Sequence, residues 1–184
     1  MTHRHTLSLT ALCLSVLGLS ACSSMGSHSV YSQSELPAAV HVPAGHKVAM
    51  ETVGVGQIAY ECRTRKDMAS EHEWVFVGPD AKLQTRSGTV IGKYWGPPAT
   101  WEHNDGSKVT ATQLAVAPAG VGNIPLQLVK ANPATGVGAV QGVTYIQRVA
   151  TKGGVAPSMA CGAANLGSKQ IVQYQADYIF WKAA

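Results

Sequence analysis

Alternation with a period of two runs through the chain from residue 47 to residue 181. Val53, Val55, Gln57, Ala59 and Glu61 alternate with Gly54, Gly56, Ile58, Tyr60 and Cys62, so Lys47 to Arg63 reads as a strand whose second set faces a core. The paired Gly54 and Gly56 signal a bulge or a close backbone approach. Trp74 and Phe76 share one face of a strand over Glu73 to Val77, and Gly78-Pro79-Asp80-Ala81 reads as the turn that ends it. Shorter apolar pieces follow at Thr89 to Ile91, Lys108 to Val116, Ile124 to Lys130 and Val143 to Val149. The last, Ile171 to Trp181, sets Val172, Tyr174, Ala176, Tyr178 and Phe180 against Ile171, Gln173, Gln175, Asp177 and Ile179. No stretch after residue 22 carries helical periodicity. The pattern predicts an all-β single domain, a sandwich or barrel of about 8–10 short antiparallel strands with long Gly/Pro-rich loops. Its final strand would lie at an edge, open to a partner strand.

Composition agrees: Gly (19) and Pro (9) are plentiful and only 13% of residues are charged, unlike a helical bundle. The formal charge of +4 is dispersed, with Arg63, Arg65 and Lys66 the tightest basic group. A nucleic-acid binder would set a basic face beside stacking aromatics, so no nucleic-acid partner is expected. No internal repeat, G-x-S-x-G, H-E-x-x-H or P-loop is present.

The first residues follow another rule. His3, Arg4 and His5 precede the apolar run Leu7 to Leu19, which is too short to span a bilayer comfortably, since a span needs roughly 20 residues. Leu19-Ser20-Ala21-Cys22 resembles the bacterial lipobox, which implies cleavage before Cys22 and acylation of its thiol. Two or three acyl chains anchor a protein stably where one does not. Residues 1–21 therefore read as a lipoprotein signal peptide, 22–36 as a flexible Ser/Gly/His-rich tether and 37–182 as the β domain. Ser23, where the resemblance would place aspartate for inner-membrane retention, implies the outer membrane of the cell envelope, facing the periplasm.

Of four cysteines, Cys13 leaves with the signal and Cys22 carries lipid. Cys62 and Cys161 remain in an oxidising compartment and are expected to pair. The chain-entropy argument gives such a loop of about 100 residues roughly 4–5 kcal/mol at most. His28, His41 and His46 are loosely spaced with no interleaved carboxylate or cysteine, so they read as exposed tether residues, and no metal site or cofactor is assigned.

The segment Gly92 to Ser107 reads as a loop dense in chemistry: Tyr94, Trp95, Trp101, Pro97-Pro98, Glu102, His103, Asn104 and Asp105. Asp105-Gly106 fits a tight hairpin turn into the next strand. Tyr94, Trp95, Trp101, Glu102, His103 and Asp105 are the candidate ligand-binding set, because ring faces with nearby carboxylates suit sugars or peptide strands. Trp101 and Tyr94 are equally the residues that would staple a proline-rich loop to a core. The carboxylates also support a second reading, a hydrolase of an envelope polymer, although neighbours such as Glu102 and His103 point apart on a regular strand. No catalytic residue is assigned.

Five motif groups resemble the bacterial and fungal domain-of-unknown-function family 3455 over roughly residues 37–182. They are Gly56-Gln57-x-x-Tyr60-x-Cys62; Trp74-x-Phe76-x-Gly78-Pro79-x-Ala81-x-Leu83; Gly96-Pro97, Thr100-Trp101 and Asp105-Gly106-Ser107; Ile146-Gln147-Arg148-x-x-Thr151-x-Gly153-Gly154-x-x-Pro157-x-x-x-Cys161; and Tyr174-x-Ala176-x-Tyr178-x-Phe180. Lys93-Tyr94 stands where members of that family carry a histidine, and Pro98-Ala99 is an insertion. The resemblance implies no activity. The expectation is a lipid-anchored, periplasm-facing binding or structural module whose partners are the membrane and an envelope glycan, cell-wall fragment, peptide or protein.

Overall fold

Eight strands hydrogen-bond in chain order, and the last returns to the first, closing one antiparallel barrel. They are β1 (His46–Arg65), β2 (Met68–Gln84), β3 (Val90–Trp95), β4 (Thr100–His103), β5 (Lys108–Ala117), β6 (Leu126–Ala131), β7 (Val143–Gly153) and β8 (Lys169–Ala183). The structure is a computed structural model that describes residues 1–2 and 31–184; residues 31–184 form one compact unit. Cys22, His28 and the signal segment beyond residue 2 lie outside the described residues. Among those described, the only helical turns are the short 3₁₀ pieces Ala38–Val40 and Ala163–Asn165.

Alternation works as expected where strands are long. Ile58, Tyr60 and Ala81 point into the barrel, as do Tyr174, Ala176, Tyr178 and Phe180 from β8, with Tyr94, Trp101, Val109, Val129 and Ile146 completing the filling. The glycines of β1 serve close packing: a Cβ on Gly54 would run into the ring of Tyr178. β8 pairs with both β1 and β7, so it is not the open edge that its terminal position suggested. Closure satisfies the ladder on both sides and removes the edge.

Gly78-Pro79-Asp80-Ala81 is not a turn. β2 continues through it, with Ala59 opposite Gly78 and Ile58 opposite Pro79, just past a bulge at Tyr60. Two local facts make this possible. β3 begins pairing only at Asp80–Trp95, so the missing N–H of Pro79 falls where β2 has no partner on that side. A Cβ on Gly78 would collide with the carbonyl oxygen of Gly96, so glycine is what lets the β3–β4 turn approach.

A second apolar cluster lies outside the barrel. Val40 and Val42 cover Ala117, Leu126, Leu128, Val149, Ile179 and Trp181, with Tyr31 and Leu36 packed alongside. Gln147, fully buried on the outer side of β7, donates from Nε2 to the carbonyl of Val40 (2.6 Å) and to Gln33 Oε1 (3.0 Å), while its Oε1 accepts Trp181 Nε1 (2.9 Å) and Tyr31 Oη (3.3 Å). Residues 31–36, assigned to the tether by their composition, are thus held on the barrel wall. His41 and His46 each bond a nearby carbonyl, those of Leu36 and Pro43, which gives both a structural explanation.

Candidate functional site

In an up-and-down barrel, successive connections alternate between the two ends. One end carries residues 85–89, 104–107 and 132–142; the other carries 66–67, 96–99, 118–125 and 154–168. The first end is sealed by Val140, which enters the core cluster. Asp105 holds that seal. Its Oδ1 accepts Ser107 N–H (2.9 Å) and Ser107 Oγ–H (2.6 Å), and its Oδ2 accepts Ala139 N–H (2.8 Å). These bonds, led by the Ser107 hydroxyl, keep its carboxyl well below the usual carboxylate range. His103 Nδ1 stands 2.9 Å from the same Oδ2.

The stretch expected as a chemistry-bearing loop is therefore two hairpins. Tyr94 and Trp95 belong to β3, Trp101, Glu102 and His103 to β4, and only 96–99 and 104–107 are turns. Strand register then divides the candidate set. Tyr94 and Trp101 are paired neighbours inside the barrel, stacked at 4.6 Å between ring centroids, with Trp101 only 1% exposed. Both are core residues, turned away from the outer surface that carries Trp95 and Glu102. Trp95 and Glu102 lie outside. Lys93 spans them, with its Nζ 4.8 Å from the Trp95 ring centroid and 3.3 Å from Glu102 Oε2, which Lys108 also faces at 3.7 Å. Glu102 and His103, neighbours on β4, both line one surface depression with Lys82, Lys93 and Asn104. Asp105 is engaged in the seal by its bonds to Ser107 and Ala139, and those bonds favour its ionised form.

The second end is open. A cavity of about 320 Å³ enters the barrel there, walled by Phe76 and Pro79 of β2, Tyr94 of β3, Gly96, Pro97 and Ala99 of the β3–β4 turn, Ala111 and Gln113 of β5, Gln127 and Val129 of β6, and Arg148 of β7. That volume is at the small end of the range for ligand pockets, roughly 300–1,000 Å³. Its polar groups converge: Gln127 Nε2 donates to Gln113 Oε1 at 2.6 Å, and Arg148 donates from Nε (3.1 Å) and Nη2 (2.9 Å) to the carbonyl of Pro125. Tyr60, Tyr94, Tyr174 and Tyr178 line the interior beneath, each with its hydroxyl pKa raised by burial. Cys62 and Cys161 form a disulfide with Cα atoms 5.5 Å apart, joining the long β1–β2 hairpin to the 154–168 connection at this same end. Trp74 Nε1 donates to the carbonyl of Met159 and Tyr60 Oη to that of Gly154, so the rim is tied at three places.

The model of the family described as "Protein of unknown function (DUF3455)" matches residues 43–182. The chain belongs to that family. No curated protein and no solved structure matches it. The five groups of residues that carry the DUF3455 resemblance lie in the barrel strands and in connections at both of its ends. Of the rim residues, Gln113 and Gln127 escaped the sequence reading entirely. Arg148 stood inside a motif without a role. The available signal was its parity with Ile146 on β7, which puts an arginine on an inward-facing position.

Proposed function

We propose that this DUF3455 protein is a lipid-anchored envelope protein whose barrel is a binding module, with the ligand seated in the open end. The observation that carries the reading is the cavity itself: one barrel end is plugged by Val140 and clamped by Asp105, while the other keeps an opening with converging polar groups. Eight-stranded barrels are wide enough to be filled by side chains or to keep room for one small ligand. Here the filling stops short of one end. Placing the ligand there moves it from the Trp95–Glu102 surface to the mouth, and the envelope glycans and peptides expected from the sequence become candidates for that pocket. The address rests on Leu19-Ser20-Ala21-Cys22 and the apolar run before it.

Native mass spectrometry of the protein purified from its own membranes tests both parts. The expected result is a polypeptide starting at an acylated Cys22, plus a small non-covalent adduct that disappears in Ala111→Trp, which fills the cavity. An unmodified Cys22 removes the anchor. Absence of any adduct, together with no thermal shift from any envelope extract, removes the binding module.

A further inference from the structure

Arg148 is on the inward side of β7, in step with Ile146, whereas Tyr145 and Val149 pack outside. Its guanidinium is held by two bonds to one carbonyl, that of Pro125, and these leave Nη1 unengaged. Among the described residues, Arg63, Arg65 and Arg86 each form ion pairs with carboxylates, and Arg148 forms none. Its charge nevertheless acts inward, pulling down the hydroxyl pKa values of Tyr60, Tyr94 and Tyr174 against the effect of burial. Asp80, the carboxylate that also acts on Tyr174, makes no ion pair with it. A guanidinium partly withdrawn from water, with its plane fixed and a donor edge free, is a preformed receptor for an anion. The wall facing it is apolar: Phe76, Tyr94, Pro97, Ala111 and Val129.

We infer that the mouth cavity takes a small amphiphilic anion, its charged group on Arg148 and its apolar flank on Phe76, Tyr94 and Pro97, an assignment that rests on the binding-module reading. The anionic group meets the free donor edge. The unengaged amide N–H groups of Gln113 and carbonyl lone pair of Gln127 are placed for a hydroxyl or a second acceptor on the ligand. A neutral molecule of the same shape gains the apolar contact alone.

Two dyes sharing one skeleton test this on the full chain: 1-anilinonaphthalene-8-sulfonate, an anion, and N-phenyl-1-naphthylamine, its uncharged counterpart. Fluorescence titration is expected to show the anion bound at least about tenfold more tightly, the size of one charge-assisted bond. Arg148→Gln should abolish the preference by weakening the anion about tenfold while leaving the neutral dye within about twofold. Arg148→Lys keeps the charge and loses the paired bonds to Pro125, so most of the preference should survive it. Near-ultraviolet circular dichroism verifies that each variant keeps its packed core. Equal affinity for the two dyes, or a preference that survives Arg148→Gln, overturns the anion assignment and leaves the cavity reading intact. If neither dye binds, or if Ala111→Trp leaves both bound, the cavity reading falls and takes the assignment with it.

Discussion

Asp105 ties two connections of the sealed end together through a single side chain. Its carboxylate accepts from Ser107, which is fully buried, and from Ala139, while Ser107 Oγ also accepts a longer bond from Val140 N–H at 3.4 Å. Because these donors favour the charged form, the folded-state pKa is depressed below the unfolded value of about 3.9. The stability it contributes is therefore fully present above about pH 4 and is lost as pH falls toward the folded pKa. Asp105→Asn is expected to lower the urea midpoint at neutral pH, and the gap from wild type should close as the medium is acidified below about pH 4. A gap that does not change with pH would mean that shape, not charge, holds the seal. Composition suggested chemistry for this residue; its value lies in the partners that two distant turns bring to it.

At the scale of elements, the segment 31–42 depends on the barrel's outer wall. Gln147 is its anchor, and removing that amide leaves the Val40 carbonyl, the Trp181 indole N–H and the Tyr31 hydroxyl without their partner. Gln147→Ala should cost about 1–3 kcal/mol in thermal or urea unfolding, the penalty of stranding buried polar groups. Tyr31 provides a second handle. Burial raises its pKa to about 12, with the Glu51 and Asp177 carboxylates adding to the effect. A raised pKa means that stability is intact below about pH 10 and is lost as pH climbs through about 12. Alkaline absorbance titration should therefore show Tyr31 ionising late in wild type and about 1–2 pH units earlier in Gln147→Ala. Equal titration curves would show that the segment's docking does not depend on the amide. The alternation of β7 places Gln147 and Arg148 on opposite faces, the first under the strap and the second at the mouth cavity. Periodicity alone gives no reason to expect a polar residue under an N-terminal strap.

Over the molecule as a whole, the Cys62–Cys161 bridge spans 99 residues and fastens the open end of the barrel. Cys62 is fully buried and its backbone is bonded on both sides, its N–H to the Ser168 carbonyl and its carbonyl to Gly167 N–H. Replacing both cysteines by alanine is expected to cost about 2–5 kcal/mol, read as a lowered unfolding midpoint. Should the loss be under about 0.5 kcal/mol, the surrounding hydrogen bonds suffice to hold the rim. The all-β class, the pairing of the two cysteines and the inward set of β1 were legible in the residues, because side-chain parity and thiol number are local properties of a chain. Barrel closure was not, since whether β8 meets β1 depends on the twist and stagger summed over every strand between them. The misread at Gly78-Pro79 has the same origin: a Gly-Pro pair breaks a strand unless neighbouring strands end beside it, and only the assembled sheet shows that β3 stops at Trp95. Sequence by itself determined which faces are apolar and which residues carry charge. Tertiary structure decided that Tyr94 and Trp101 fill the barrel while Arg148 meets an opening, because burial is set by what packs opposite a side chain, and that partner comes from a distant part of the chain.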